Sequence, residues 1–297
     1  MGLDPEYLVG VDGGGTGCRV RLCDRKGREI AASSGGPANI NTDFTSTLQN
    51  ILLAVCKAYE AAGLDPARRA DDAAWVGLAG AGVGDLAARM EHALGFAATR
   101  VSTDRKTTVE GALGGGDGTV AMVGTGSFFV RRAGGTERSI GGWGYQLGDE
   151  CGGAWLGREL LRAVLKAEDG ILDHSDLTAR ILHRFSGRPG DIVRFAHSAT
   201  PGEIGGLAPD VTAAQQAGDP VARAIMDDAV DLLFGQLNAL DARNGGPVYL
   251  LGGLAPVYAP QLPERYRRLV RAPLGDALDG AVALARQQFR CLEPEGK

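Results

Sequence analysis

Tyr7-Leu8-Val9-Gly10-Val11-Asp12-Gly13-Gly14-Gly15-Thr16 is an apolar run that ends in a carboxylate, three glycines and a hydroxyl. Tyr7, Leu8, Val9 and Val11 suit a buried strand. Consecutive glycines cannot continue one without loss of side-chain packing, so the chain must turn sharply after Asp12. Such a turn leaves backbone N–H groups open to a closely approaching anion. Thr16 adds a hydroxyl donor, and Asp12 stands where a metal-bound water could sit. The stretch reads as half of a phosphate clamp, with an ordinary tight hairpin turn as the alternative. A P-loop needs Gly-Lys-Ser/Thr opening a helix, and a dinucleotide fingerprint needs Gly-x-Gly-x-x-Gly opening one. Neither fits, because Cys18-Arg19-Val20-Arg21-Leu22-Cys23 alternates like a second strand.

Outward from this hairpin, 29–32 reads as a third strand and 33–41 as a loop of turn formers. Residues 45–59 carry apolar positions at helical spacing, a strand follows at 73–78, and 85–94 is a second helix. His92 lies on its polar side as a surface residue. The strand at 100–103 ends in Asp104, and 107–113 continues as a helix. This order predicts a mixed sheet with an antiparallel edge and a parallel centre. Ligands of open α/β sheets sit beyond the carboxyl ends of the strands, where both Asp12 and Asp104 fall. Asp104 is therefore a candidate proton acceptor, with a simple helix cap as the alternative. A helix N-terminus and Arg105 or Lys106 nearby are expected to hold it ionised.

Composition bounds the function. The 297 residues are enough for two domains of ordinary size. A net charge of -5 comes without any basic run, so neither nucleic acid nor a membrane is expected as a partner. No stretch approaches the ~20 apolar residues of a membrane span, and the first residues lack the pattern of a secretory leader, so a cytoplasmic location is expected. Cys18, Cys23, Cys56, Cys151 and Cys291 are scattered without Cys-x-x-Cys spacing and read as reduced thiols. The 46 glycines gather in discrete clusters, and so mark turns rather than disorder.

Gly114-Gly115-Gly116-Asp117-Gly118 reads as a connection between domains, because the opening logic then repeats. Thr119-Val120-Ala121-Met122-Val123 is an apolar strand, Gly124-Thr125-Gly126-Ser127 a glycine and hydroxyl turn, and 128–132 a returning strand. Two such turns on opposite walls of a cleft can hold the phosphates of one nucleotide.

Asp12-Gly13-Gly14-Gly15-Thr16, Gly124-Thr125-Gly126-Ser127 and Leu250-Leu251-Gly252-Gly253 resemble the two phosphate motifs and the adenosine motif of the actin, Hsp70 and sugar-kinase superfamily. Within it the chain resembles the BadF/BadG/BcrA/BcrD ATPase family. The glucosamine and N-acetylglucosamine kinase branch is matched through Ser-Gly-Gly-Pro-Ala-Asn-Ile at 34–40, Thr103-Asp104, Gly141-Gly142-Trp143-Gly144 and Leu147-Gly148-Asp149-Glu150. The implied fold class is α/β, with two actin-like (ribonuclease H-like) ATPase domains flanking a nucleotide cleft. The first spans 1–113 and the second 114–297, with the last helix free to pack back on the first.

The resemblance implies that ATP phosphates lie on the two turns, contacted by Gly13, Gly14, Gly15, Thr16, Gly124, Thr125, Gly126 and Ser127. Asp12 would anchor Mg²⁺ through water. Gly252 and Gly253 would lie under the adenosine, and Gln215 near the nucleotide. Asp104 would accept the proton of the sugar 6-hydroxyl as it attacks the terminal phosphoryl group, a transfer that depends mainly on positioning and charge neutralisation. Asn39, Gly142, Trp143, Gly144 and Asp149 would hold the sugar, Trp143 by stacking, unless it is a core or hinge aromatic.

Two departures stand out. Phe128 occupies the place of an asparagine that contacts the sugar in animal N-acetylglucosamine kinases, which counts against an acetylated substrate. Cys151 stands where Gly-Asp-Glu-Gly is common.

The rest of the second half reads as helices at 155–166, 176–185, 191–197, 208–217 and 221–242, a strand at 247–251, a final helix after 272–281 and a polar tail from Glu293. His183 and His197 lack ligand spacing. The leading expectation is an ATP-dependent glucosamine kinase. N-acetylglucosamine kinase is the runner-up; an ATPase activator of a dehydratase or a sugar sensor comes behind. The partner is a small amino sugar, and the oligomeric state stays open, with a homodimer as one option.

Overall fold

The computed structural model describes residues 5–244 and 246–290, so Cys291 and the tail from Glu293 lie outside the described residues. Contacts divide the chain into two compact units. One holds the residues up to Gly116 and those from Pro273; the other is Asp117–Ala272.

The first unit opens with β1 (Tyr7–Gly13), β2 (Cys18–Asp24) and β3 (Glu29–Gly35), followed by α1 (Phe44–Ala61), β4 (Ala73–Leu78), α2 (Leu86–Ala93), β5 (Ala98–Thr103) and α3 (Asp104–Leu113). The strands lie in the order β3-β2-β1-β4-β5. β1, β2 and β3 pair antiparallel, while β1, β4 and β5 run parallel. β1 is thus the hinge between the two halves of a mixed sheet, and the parallel half extends to the far edge. Ser33, Ser34 and Gly35, expected in a loop, continue β3 because they pair with Val20, Arg19 and Cys18. Ser33 also donates its hydroxyl to the Ala54 carbonyl on α1 at 2.5 Å, which offsets its poor strand propensity. One sheet face buries Val9, Val11, Val20 and Leu22 against Ile51, Val55 and Tyr59 of α1.

The second unit repeats the plan with β6 (Gly118–Val123), β7 (Ser127–Ala133) and β8 (Thr136–Gly141). β8 carries Thr, Glu, Arg and Ser without an apolar alternation, which is why the sequence does not announce it. Next come α4 (Gly153–Glu168), α5 (Asp176–Arg184), α6 (Pro189–Ser198), α7 (Pro201–Gly205), α8 (Ala208–Ala217) and α9 (Pro220–Ala239). β9 (Val248–Leu251), α10 (Ala255–Tyr258) and α11 (Glu264–Arg267) complete the unit. Its strands lie in the order β8-β7-β6-β9, with β9 parallel to β6. Ala121, Val123 and Phe129 pack with Trp155, Leu156 and Leu160 of α4 and with Met226, Leu233 and Leu237 of α9 in one core.

The chain then returns to the first unit in α12 (Ala277–Arg290). Gly280 and Gly111 permit this: a Cβ at Gly280 would lie 1.9 Å from the Thr107 carbonyl oxygen, and one at Gly111 would lie 1.8 Å from that of Asp276. α3 and α12 therefore cross backbone to backbone. Gly10 of β1 gives way in the same manner beneath Val282. Asp276 caps α12, its Oδ1 accepting from the Leu278 and Asp279 N–H groups at 2.9 and 3.0 Å.

Candidate active site

In the first unit the turn after β1 is held from behind. The Gly13 carbonyl accepts from the Ala79 N–H at 2.9 Å, and the Gly14 carbonyl accepts from Ala38 at 2.8 Å. A trans peptide points its N–H opposite to its C=O. The Gly15 N–H, which shares a peptide with the Gly14 carbonyl, is therefore aimed away from the fold. Gly14 and Gly15 have open space where a Cβ would stand, and Thr16 is exposed.

Asp12, the penultimate residue of β1, has its Oδ2 in the fork of Arg19, 3.2 Å from Nε and 2.6 Å from Nη2. The same guanidinium gives its Nη1 to Asp276 Oδ2 at 2.6 Å. Asp276 stays below the ordinary carboxylate range, because the Asp279 N–H and Arg19 together outweigh its burial. The Asn39 loop hangs beside this end of the sheet: Asn39 bridges to Ala79, and its Oδ1 accepts from the Asn41 N–H at 3.1 Å.

Asp104 is the first residue of α3, directly after β5, and Thr103 occupies the cap position. The helix starts three residues earlier than its apolar pattern indicates, which draws Asp104 into the first turn. Its Oδ1 accepts from the Arg105 N–H at 2.9 Å. The expectation that its surroundings favour the ionised form is overturned. Burial pushes the pKa up, the negative charge of Asp12 adds to this, and the Arg105 N–H and charge do not offset them. Asp72, also in this unit, is raised by burial too, yet it is fully buried and accepts from the Tyr7 N–H and the Tyr59 hydroxyl, each at 2.9 Å. Asp72 has both oxygens satisfied at the start of the strands, whereas Asp104 is half-buried at their carboxyl ends with its Oδ1 on the Arg105 N–H.

In the second unit the turn after β6 is backed by a helix. Gly153 and Ala154, at the start of α4, donate to the Gly124 and Thr125 carbonyls at 2.8 and 2.9 Å. By the same peptide geometry the Thr125 and Gly126 N–H groups point away from α4 side by side, with the positive end of the helix behind them. Thr125 is exposed. Ser127 differs from its expected role: it is 3 % exposed, and its hydroxyl donates to the Glu150 carbonyl at 2.6 Å.

Gly252 has φ +90°, and a Cβ there would lie 2.4 Å from the Val123 carbonyl oxygen. The end of β9 thus lies directly against the second turn, and Leu254 N–H donates to that same carbonyl at 3.1 Å. Gly253 is open and exposed. Gln215 on α8 donates to Gln261 Oε1 at 3.2 Å.

The segment after β8 carries Gly142, Trp143 and Gly144. Trp143 is 77 % exposed, which rules out a core role. Arg158 of α4 fastens the segment by donating to the Tyr145 carbonyl at 3.3 Å. Asp149 has φ +57°, and its carboxylate occupies the space a Cβ of Gly126 would need, Oδ2 lying 2.4 Å from that point. Phe128 pairs with Gly141, at the root of this segment.

The four described cysteines are free, His183 and His197 are exposed, and His92 is engaged with the Ala88 carbonyl at 2.8 Å. Among the described residues no three His, Cys, Asp or Glu side chains group as a metal site, and no helix is long and apolar enough to cross a membrane.

Two α/β units that each place a glycine turn at the end of the first strand of a mixed sheet are the architecture of an actin-like ATPase fold. The sequence profile of the BadF/BadG/BcrA/BcrD ATPase family matches residues 9–262, and the chain belongs to that family. It is 30 % identical over 296 residues to a glucosamine kinase of Vibrio cholerae, covering 98 % of this chain and 99 % of that protein. A Chromobacterium violaceum protein whose crystal structure carries the provisional name N-acetylglucosamine kinase superposes with a TM-score of 0.87. It is 36 % identical, over 95 % of this chain and 99 % of that one. A glucokinase of Streptomyces griseus, solved with glucose and AMPPNP, shares the fold alone at 20 % identity and TM-score 0.58, over 95 % of this chain and 99 % of its own. The chain is an ATP-dependent amino-sugar kinase.

Proposed function

We propose that the sugar is glucosamine and that its 6-hydroxyl receives the terminal phosphoryl group of ATP. The observation that carries the chemistry is Asp104, a half-buried carboxylate with one oxygen on the Arg105 N–H and a raised pKa. Its other oxygen takes the hydroxyl proton as the new O–P bond forms and ADP departs. A raised pKa makes that oxygen a better acceptor than an ordinary carboxylate, and positioning supplies most of the remainder.

The first unit contributes Asp12, Gly13, Gly14, Gly15 and Thr16 to the phosphates and Asn39 to the sugar. The second contributes the Thr125 and Gly126 amides to the phosphates, Gly252, Gly253 and Gln215 to the nucleoside, and Gly142, Trp143, Gly144 and Asp149 to the sugar. Mg²⁺ fits a site built this way, since it keeps most of its waters and takes one or two carboxylates plus phosphate oxygens. Asp12 would hold it through water, and the ion would neutralise phosphate charge.

Two features support glucosamine over its acetylated form. The Phe128 side chain, at the root of the Trp143 segment, carries no hydrogen-bonding group for an acetamide. Asp149 supplies a carboxylate for a protonated amine. N-acetylglucosamine is the second reading, favoured by the 26 % identity to an N-acetylmuramic acid/N-acetylglucosamine kinase of Clostridium acetobutylicum over 79 % of each chain. A coupled ADP-release assay with glucosamine, N-acetylglucosamine and glucose decides. Glucosamine is expected to show the highest kcat/KM, and a higher value for the acetylated sugar overturns the choice.

A further inference from the structure

Glu150 is flanked by two residues in the left-handed region, Asp149 at φ +57° and Cys151 at φ +56°. Aspartate tolerates this region through local hydrogen bonding; cysteine has no such help. Backbone of this kind persists only where the surroundings hold it. Here three successive carbonyls are each held. Asp149 O accepts from the Gly152 N–H at 3.1 Å, Glu150 O from the Ser127 hydroxyl at 2.6 Å, and Cys151 O from the Tyr258 hydroxyl at 2.6 Å.

Both hydroxyls are buried, Tyr258 completely. Burial pushes the Tyr258 phenol far above its ordinary pKa, so it remains a donor at every working pH. The donors come from the two nucleotide-side elements of this unit: Ser127 begins β7 after the second turn, and Tyr258 ends α10, just after Gly252 and Gly253. What they fix is the backbone that presses the Asp149 carboxylate against Gly126.

We infer that Tyr258 is a positioning residue for the sugar, holding the Cys151 carbonyl so that Asp149 keeps its left-handed backbone and its carboxylate stays seated at the second turn. This rests on the proposed placement of Asp149 at the sugar. It also explains how a cysteine stands at 151: the tyrosine supplies from outside the hold that a glycine would not require.

The test measures the KM for glucosamine and for ATP, with thermal melting, in Tyr258→Phe, Cys151→Gly and the double variant. Tyr258→Phe is expected to raise the sugar KM roughly tenfold while the ATP KM stays within about twofold, the split a positioning role produces. Adding Cys151→Gly is expected to restore at least half of that loss on a logarithmic scale, since glycine adopts the left-handed conformation unaided. Ser127→Ala, which frees the neighbouring carbonyl, is a second lever with the same expected split if Tyr258→Phe melts too low to assay. An unchanged sugar KM, a parallel rise in both KM values, or no restoration by Cys151→Gly overturns the inference. Asp149→Asn and the unaltered chain are assayed beside these. If Asp149→Asn leaves the sugar KM unchanged, the placement of Asp149 fails; if the unaltered chain turns over no glucosamine, the substrate reading fails. Both are told apart from a failure of Tyr258, because neither alters it.

Discussion

The turn after β1 and the turn after β6 share a local pattern of glycines and hydroxyls at the end of an apolar strand, but their surroundings differ. Around the first, Asp12, Arg19 and Asp276 form a chain of charges, and a second carboxylate, Asp104, is raised in part by Asp12. Around the second, the partners are mostly backbone: α4 amides behind it, Gly252 against it, and buried hydroxyls on the segment beside it. The first unit is arranged to act through charge and the second through fixed shape. Isosteric charge removal in the first unit should therefore fall on turnover or on nucleotide affinity. Added volume should fall on stability and substrate affinity in the second.

The sharpest break is Asp104→Asn. Loss of the proton acceptor with its shape kept is expected to lower kcat by about 10²–10⁴-fold while the ATP KM barely moves. Stability gives an independent sign. A carboxyl raised in the folded state contributes stability that is present below its unfolded pKa of roughly 4 and is lost as pH rises through the folded value. Asp104→Asn should therefore melt above the unaltered protein at neutral pH, with the advantage gone near pH 4 and below. A retained rate would remove Asp104 from the chemistry, and a lower melting point at neutral pH would contradict its raised pKa. For the same reason the acid limb of kcat should lie above the ordinary aspartate range of roughly 4, and should vanish in a variant lacking the carboxylate. A limb at or below that range contradicts the burial of Asp104.

Added methyl groups separate the turns next. Gly252→Ala must fit a Cβ 2.4 Å from a carbonyl oxygen at φ +90°, so about 1–3 kcal/mol of stability should be lost. In a chain of this size that lowers the melting temperature by several degrees, roughly 2–4 °C per kcal/mol. Gly15→Ala meets open space and should melt within a degree or two of the parent, with any effect confined to the ATP KM. Equal melting losses at both positions would erase the distinction between them.

The glycine turns, the strand-end carboxylates and the mixed sheets were legible in the sequence because they rest on local pattern: period-two apolar runs, glycine clusters, and an acid where a strand stops. What depended on distant contacts was not. The ionisation of Asp104 was misread because burial, invisible in a linear text, outweighs the Arg105 N–H beside it. Ser127 looked like a phosphate donor until its hydroxyl proved committed to Glu150. β8 has no apolar alternation, and although the resemblance allowed the last helix to pack back on the first unit, its close crossing with α3 at Gly111 and Gly280, 169 positions apart in sequence, left no signal. Tyr258 carried no signal at all, since a tyrosine in a short helix shows its purpose only when Cys151 is folded against it.

The smallest effect expected belongs to the charge chain itself. Asp276 has two duties, capping α12 with one oxygen and holding Arg19 with the other. Asn caps about as well as Asp, so Asp276→Asn should spare the helix and weaken only the hold on Arg19. With the Arg19 side chain 49 % exposed, the bridge is worth at most about 1 kcal/mol to folding, and the melting point should hardly change. If Arg19 acts by keeping Asp12 in place, Asp276→Asn and Arg19→Ala should each raise the ATP·Mg²⁺ KM a few-fold, and the double variant should be no worse than Arg19→Ala, because both remove one linkage. If Arg19 instead meets phosphate directly, Arg19→Ala alone will be costly and Asp276→Asn nearly silent. The first turn would then hold its nucleotide by a side-chain cation, where the second relies on backbone N–H groups.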